Sequence, residues 1–248
     1  MFKLAKWLIS MKLERKIKKI SEYGMLPSEG SEWSRLIERY LAFKEYLDRG
    51  LIDYSFTSSG AREKFFRSRG LDVTFIPLGY HYQFGRMLNL RRDIDVLFLG
   101  RINNKRRKVL IKNIAHSLHE NSVSFTIIDD AYGDARTELL NRAKIVLDIP
   151  RVPWETGGVR FLMAMSCGAL VVSSNLKYTA PYEPDVHFAG CSEQNIVNSI
   201  RYYLSNNAQR QKIVDNAYQF VTKYITATNM MSKVMEACNA YPTFQDGC

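Results

Sequence analysis

Cysteine and histidine are scarce in this sequence. Its 248 residues include four cysteines, without a C-x-x-C pair, and four histidines, without an H-E-x-x-H motif. A disulfide framework is therefore not indicated, and the cysteine usage predicts a reducing compartment such as the cytoplasm. A structural zinc site is not expected either, because it would need a cluster of cysteine and histidine ligands.

Long apolar runs are also missing. No stretch approaches the roughly 18 consecutive apolar residues that a membrane-spanning helix requires. Apolar residues make up 46% of the chain and charged residues 24%, which is typical of a soluble globular protein. A chain of 248 residues can form one large domain or two small ones.

Positive charge is in excess but is unevenly distributed. The formal net charge is +10, and residues 1–20 alone hold seven Lys or Arg against one Glu, a net of +6. A local anionic partner such as a phospholipid surface fits this distribution better than a nucleic-acid-binding domain does. Because the segment also lacks the interleaved aromatics of a base-stacking surface, no nucleic-acid partner is expected.

Residues 2–20 have the composition of a basic, apolar helix without one clean amphipathic face. Two interpretations of this segment stay open. It can lie at the inner face of a membrane, with Trp7 at the depth of the lipid headgroups. It can equally be a helix that docks on the rest of the fold while its lysines face water.

Composition and periodicity divide the chain into four parts. Residues 1–30 are a basic helix and loop, 31–92 are a small α/β part that ends in a linker, 93–240 are a larger α/β domain, and 241–248 are a loose tail. In the second part, a helix is predicted to end at Gly50, and a strand–helix–strand unit then ends at Pro77.

Strands alternate with helices from Asp93 onwards. The strands are predicted at 94–99, 123–128, 145–149 and 169–174, with a further short strand around 186–189. This alternation predicts an α/β fold with a Rossmann-like parallel sheet and helices on both of its faces. Such a sheet binds ligands beyond the carboxyl ends of its strands.

Two predicted loops at those strand ends carry residues suited to an anion. Gly100, Arg101 and Lys105 follow the strand at 94–99, and cations in such a loop can hold a diphosphate. Residues 154–158 (Trp-Glu-Thr-Gly-Gly) precede an apolar helix whose first N–H groups are free to meet a phosphate. The alternatives are a solvated first helical turn at 105–108 and an ordinary glycine turn before a buried helix.

The same residues resemble a known family. Gly100-Arg101 with a nearby Lys, and Glu155-Thr156-Gly157-Gly158 leading into Ala164-Met165-Ser166-Cys167-Gly168, are similar to the nucleotide-sugar glycosyltransferases of the GT-B fold. The likeness is to the group-1 type, in the branch related to spore-coat maturation proteins, and it covers roughly residues 50–235. It implies the C-terminal, donor-binding half of a GT-B fold preceded by a shortened N-terminal, acceptor-side part.

The resemblance also implies roles for individual residues. Glu155, Arg101 and Lys105 would be catalytic, acting on the donor sugar and on the leaving diphosphate. The implied donor-binding residues are Gly100, Arg106, Thr156, Gly157, Gly158, Val159 and Met163. A nucleoside diphosphate sugar would be the donor, a glycan, lipid or protein the acceptor, and no cofactor or obligatory metal is expected.

Two departures from the family pattern bear on function. Met163 stands eight residues after Glu155, where the family usually has a ribose-binding Glu, so that contact is absent or supplied elsewhere. The part before the donor domain is about half as long as a full acceptor domain. The leading hypothesis is a hexosyltransferase-type enzyme, and the alternative is a non-catalytic or split-enzyme subunit that binds a nucleotide-sugar and needs a partner chain or a second copy.

A peptide of residues 1–20 is expected to bind anionic liposomes in preference to an oligonucleotide. Its cations favour any polyanion, whereas its apolar residues add binding energy only at a lipid interface. Vesicle co-sedimentation and an electrophoretic mobility shift, run on the same peptide, compare the two partners. Preferred binding to the oligonucleotide would contradict the membrane-surface interpretation.

Overall fold

The computed structural model describes residues 40–102, 105–150, 158–174 and 176–240. The predicted N-terminal helix and the tail at 241–248 lie outside these residues. The chain divides into two compact units. The described residues up to Ser55 belong with Ala61–Val73 to one unit, and Phe56–Gly60 belong with the residues from Thr74 onwards to the other.

Aromatic side chains hold the smaller unit together. Residues 40–48 form helix α1, and Gly60–Arg67 form helix α2. The ring of Phe66 stacks on Tyr40, with centroids 6.3 Å apart, and meets Phe43 edge-on at 5.3 Å. Tyr40 and Phe43 are three residues apart and therefore lie on the same face of α1.

The larger unit contains two parallel sheets. Strands β1 (Phe56–Thr57) and β2 (Thr74–Phe75) form a small parallel pair. The main sheet consists of β3 (Ile94–Leu99), β4 (Phe125–Ile128), β5 (Ala143–Asp148), β6 (Leu170–Ser174) and β7 (Ala189–Cys191). All neighbouring pairs are parallel, and the order across the sheet is β4-β3-β5-β6-β7. The Rossmann-like parallel sheet predicted from the sequence is thereby confirmed.

Helices connect these strands and follow the last of them. They are α3 (Lys105–Glu120), α4 (Gly133–Arg142), α5 (Val159–Ser166), α6 (Ile196–Ser205), α7 (Asn207–Gln219), the π-helical segment Phe220–Tyr224 and α8 (Ala227–Asn239), with short 3-10 turns at Tyr82–Phe84 and Glu193–Asn195. None of the helices in the described part of the chain combines the length and the apolarity needed to cross a bilayer.

Alternating side chains of the strands build two cores, one on each face of the main sheet. In β3, Leu97 and Leu99 pack with α4 and α5 on one face, whereas Val96 and Phe98 pack with α3 and α6 on the other. All four side chains are buried. A strand buried on both faces has a near-continuous apolar sequence, which is why β3 is visible in the sequence alone.

The position predicted for the last strand was wrong. The apolar residues at 186–189 suggested a strand there, but β7 is Ala189–Cys191. The residues before it form a turn, in which the Asp185 amide donates to the Phe188 carbonyl at 2.7 Å and Asp185 has a φ of 62°. Because this turn contains Val186 and Phe188, its composition resembles that of a short strand.

The strand order determines where a ligand can bind. From β3 the chain passes through α3 to β4 on one side, and it then returns through α4 to β5 on the other side of β3. The connections that leave β3 and β5 therefore diverge, which opens a crevice beyond the carboxyl ends of these strands. The loops singled out from the sequence, at 100–105 and 154–158, follow β3 and β5.

A close backbone contact joins the segment after β2 to the start of α8. The Tyr80 amide donates to the Ile225 carbonyl at 2.6 Å, and the Ala227 amide donates to the Tyr80 carbonyl at 2.7 Å. A Cβ atom on Gly79 would lie 2.6 Å from the Cα atom of Ala227. Glycine at this position therefore permits the approach of the two backbones.

Gly79→Ala is expected to lower the free energy of unfolding by about 1–3 kcal/mol, because a clash with backbone atoms cannot be relieved by a side-chain rotation. Gly60→Ala is the matched control, since a Cβ atom there meets nothing within 4 Å. Urea denaturation followed by circular dichroism measures both variants. Equal loss of stability in the two would contradict the assigned role of Gly79.

Candidate functional site

A cleft of about 340 Å³ lies beyond the carboxyl end of β3, between the loop after β4 and the first turn of α5. Four residues of the predicted site line this cleft: Gly100, Val159 and Met163, which were implied to bind the donor, and Arg101, which was implied to be catalytic. Gly158 immediately precedes α5 and has a φ of 47°, a conformation that favours glycine. The structure therefore brings the described ends of the two predicted loops, Gly100-Arg101 and Gly158-Val159, to one place.

Three further residues of the predicted site, Glu155, Thr156 and Gly157, lie outside the described residues, so their roles stay predictions. Lys105 is exposed at the start of α3 and is not part of the described cleft lining. Arg106 is not part of it either. Arg106 pairs with Glu193 and donates to the Pro150 carbonyl at 3.2 Å.

The neighbouring Arg107 has a structural function. It is only 5% exposed, and it donates to the carbonyl of Arg101 at 3.0 Å and to that of Ile149 at 2.6 Å. These bonds fix the loop after β3 against the end of β5. Residues 105–108 are therefore not the fully solvated helical turn that the sequence left open as an alternative.

Arg160, which was not among the residues predicted for the site, organises the floor of the cleft. Its Nε atom donates to the Leu99 carbonyl at 3.0 Å, and its Nη1 atom pairs with the carboxylate of Asp148, a side chain that is 0% exposed. Ser173 donates to the other oxygen of that carboxylate at 2.9 Å. One ion pair thus connects the first turn of α5 to the ends of β3, β5 and β6.

The same guanidinium explains why a glycine follows β3. A Cβ atom on Gly100 would lie 2.8 Å from Nη2 of Arg160, and the φ of Gly100 is 140°. Two signals in the sequence could have indicated this arrangement. They are an arginine in the first turn of an otherwise apolar helix and an aspartate at the end of an apolar strand, both of which need a partner when buried.

The remaining polar lining of the cleft is mostly cationic. Arg136 joins Arg101 and Arg160 in the lining, and its Nη2 atom is held by the Gln83 carbonyl at 2.8 Å. Asp129 adds one carboxylate, and Tyr132 adds an aromatic ring in a side chain that is 66% exposed. Three guanidinium groups line the cleft, and because that of Arg160 is paired with Asp148, the charge that favours an anionic ligand comes mainly from Arg101 and Arg136.

Other reactive groups do not point to a different chemistry. Burial raises the pKa of the Cys167 thiol, behind α5, to about 11, so this group stays protonated at neutral pH. Across the described ranges, no three His, Cys, Asp or Glu side chains are grouped so that they could hold a metal ion. The expectation of a reaction without an obligatory metal remains a prediction.

Comparison with known protein families shows to which family this chain belongs. Residues 103–236, more than half of the chain, match the family described as glycosyl transferase-like. The chain belongs to this glycosyl transferase-like family. The match begins two residues after Arg101 and includes α3 and α5, and it confirms the resemblance to glycosyltransferases that the helix after Gly158 carries. Comparison with curated protein sequences gives no match.

Solved structures share the fold at low sequence identity. HepE from Anabaena, solved with UDP-glucose, is 16% identical with a TM-score of 0.60, covering 76% of this chain and 64% of its own. TarM from S. aureus, solved in complex with UDP, is 12% identical with a TM-score of 0.63, covering 77% of this chain and 45% of its own. Sucrose-phosphate synthase from Thermosynechococcus elongatus is 15% identical with a TM-score of 0.56, covering 75% and 58%. The chain spans less than two thirds of each of these proteins.

Asp148→Ala is expected to destabilise the fold by about 3–5 kcal/mol, because it leaves the guanidinium of Arg160, a side chain that is only 15% exposed, without its counter-charge. The matched control is Asp134→Ala, which breaks an ion pair with Arg86 whose aspartate side chain is 88% exposed. An exposed pair contributes little, so the control should keep nearly the wild-type stability. Chemical denaturation midpoints compare the two, and a small effect of Asp148→Ala would contradict the buried ion pair.

Proposed function

We propose that this chain is a glycosyltransferase of the hexosyltransferase type that binds a nucleoside diphosphate sugar in the cleft beyond β3. The observation that carries this proposal is the convergence of Arg101, Arg136 and Arg160 on one cleft beside the start of α5, in a chain of the glycosyl transferase-like family. The presence of UDP-glucose in HepE and of UDP in TarM supports the choice of a nucleotide ligand.

The chemistry required of the cleft is stabilisation of a leaving diphosphate. As the bond between the sugar and the diphosphate breaks, negative charge develops on the diphosphate oxygens, and fixed donors lower the barrier. Arg101, with Lys105 at the start of α3, is assigned to this charge. The first amides of α5, after Gly158, offer further donors to a phosphate. Glu155 is assigned to the donor sugar, and no metal ion is needed in this scheme.

The proposed acceptor can belong to several chemical classes. A glycan, a lipid or a protein hydroxyl can take the sugar in such a reaction. The basic residues 1–20 are assigned to an anionic membrane surface, which would bring the donor site to acceptors at that surface.

A second candidate function is nucleotide-sugar binding without turnover by this chain alone. Met163 favours it, because this residue lines the cleft and offers no carboxylate where the family resemblance implies a Glu. The chain would then be the donor-binding subunit of a split enzyme, and a partner chain or a second copy would complete the reaction.

Calorimetry of the full chain with UDP-, GDP-, ADP- and TDP-sugars tests the binding that both candidates require. We expect one of them to bind and Arg101→Ala to weaken that binding about 10-fold or more, because hydrogen bonds to a charged group contribute roughly 1.5–3 kcal/mol. Lys112→Ala is the control, since Lys112 is an exposed cation on α3 outside the cleft lining. Failure of a folded protein to bind any of the four would contradict the proposed function.

Turnover separates the two candidates. The enzyme should release a nucleoside diphosphate from its donor, and Glu155→Ala should abolish that release while leaving the protein folded. Binding without release by the wild-type chain, with turnover restored by an added partner chain, would favour the subunit. Light scattering after size-exclusion chromatography establishes whether the active species is a single chain.

A further inference from the structure

One carboxylate lies among the cations of the cleft. Asp129 directly follows β4 and is exposed, and its side chain lines the same cleft as Arg101, Arg136 and Arg160. Within the described residues this carboxylate makes no hydrogen bond or ion pair. A negative charge at this position repels an anionic ligand, so its presence in a diphosphate site calls for a chemical reason.

The register of the sheet places Asp129 next to the proposed phosphate loop. Leu99 in β3 pairs with Ile128 in β4, and the Gly100 amide donates to the Ile128 carbonyl at 2.8 Å. Asp129 and Gly100 therefore leave neighbouring strands at the same level. Adjacent strands are about 4.8 Å apart, which is a short distance compared with the size of a nucleotide.

The chemistry of a nucleotide accounts for a carboxylate at this distance. The ribose is attached directly to the diphosphate, so it lies one group away from wherever the diphosphate is held. A carboxylate accepts hydrogen bonds from vicinal hydroxyls, and in the dinucleotide-binding form of the Rossmann fold an acidic residue does so for the ribose. In the main sheet β4 is the second strand along the chain, and Asp129 is the residue that follows it.

We infer that Asp129 binds the ribose hydroxyls of the nucleotide in this chain. The inference rests on the proposed function and specifies its nucleotide subsite. Met163, in α5, lines the same cleft, but its thioether is only a weak acceptor and cannot hold a diol. The contact that the family resemblance places on α5 is thus transferred to the end of β4. The exposed ring of Tyr132, three residues later, offers a flat face on which the adjoining base can stack.

Removal of the Asp129 carboxylate has opposite expected effects on ligand binding, depending on whether Asp129 contacts the ribose or only lies near the ligand. If Asp129 only lies near the ligand, its removal makes the cleft more cationic and strengthens the binding of every polyphosphate. If Asp129 holds the ribose, its removal weakens the binding of ribonucleotides. Pyrophosphate, which carries charge but no ribose, should then bind at least as tightly as before.

Calorimetry of the full chain provides this test. The ligands are UDP, GDP, ADP, pyrophosphate and the 2′,3′-dideoxy analogue of whichever nucleotide binds best. Asp129→Ala should weaken binding of that nucleotide about 10-fold or more, and it should not weaken binding of pyrophosphate or the dideoxy analogue. Asp130→Ala is the matched control, because Asp130 is the adjacent exposed carboxylate outside the described cleft lining. It should leave all three affinities within about twofold, as expected for a solvent-exposed charge that contacts no part of the ligand and is screened by salt.

The outcomes separate failure of the inference from failure of the proposed function. Unchanged or tighter nucleotide binding by Asp129→Ala would overturn the ribose contact while leaving the nucleotide site in place. Equal weakening of nucleotide, dideoxy analogue and pyrophosphate would also overturn it, because a general loss of the site does not depend on the diol. If folded wild-type protein binds none of these three nucleotides but does bind a TDP-sugar, the ribose contact alone fails. If it binds none of the four, the proposed function fails, and the ribose contact fails with it.

Discussion

The ion pair between Arg160 and Asp148 is the interaction on which the cleft depends. A buried pair is stable only when its remaining hydrogen-bonding groups are satisfied, and here the Leu99 carbonyl and the Ser173 hydroxyl do so. Through these bonds a single guanidinium joins the first turn of α5 to three strand ends. It also occupies the space beside Gly100, so the path of the loop after β3 and the position of α5 are determined together.

Arginines that are close in sequence have different functions in this fold. Arg101 lines the cleft, Arg106 pairs with Glu193, and Arg107 is buried against backbone carbonyls. Successive residues of a helix point about 100° apart, so neighbouring cations at the start of α3 cannot all face one ligand. The positive charge that the cleft offers to an anion therefore comes from arginines of separate elements, whose neighbours in sequence stabilise the loops that carry them.

The sheet was predictable because of where its strands lie. β3, β5 and β6 are buried on both faces, and an apolar run bounded by loop residues is the direct consequence in the sequence. Gly100 and Arg101 could be placed at the same edge of the sheet as the start of α5 because parallel strands end at one edge, whereas the roles of Val159 and Met163 were implied by the family resemblance. β7 was misplaced because a turn with apolar side chains precedes it, and local composition does not distinguish the two.

The sequence by itself determined a parallel α/β fold, the edge of the sheet where a ligand binds, and the membership of the two loops in one family pattern. Only the tertiary structure decided that Arg160 is held by Asp148, and that Asp129 and Met163 line the same cleft. The physical reason is that the local periodicity of a sequence shows whether a residue lies in a helix or in a strand. It does not show which other helices and strands pack beside that one. Side chains from β4, β5 and α5 converge because the strands are ordered β4-β3-β5, an arrangement set by long-range packing of the two cores.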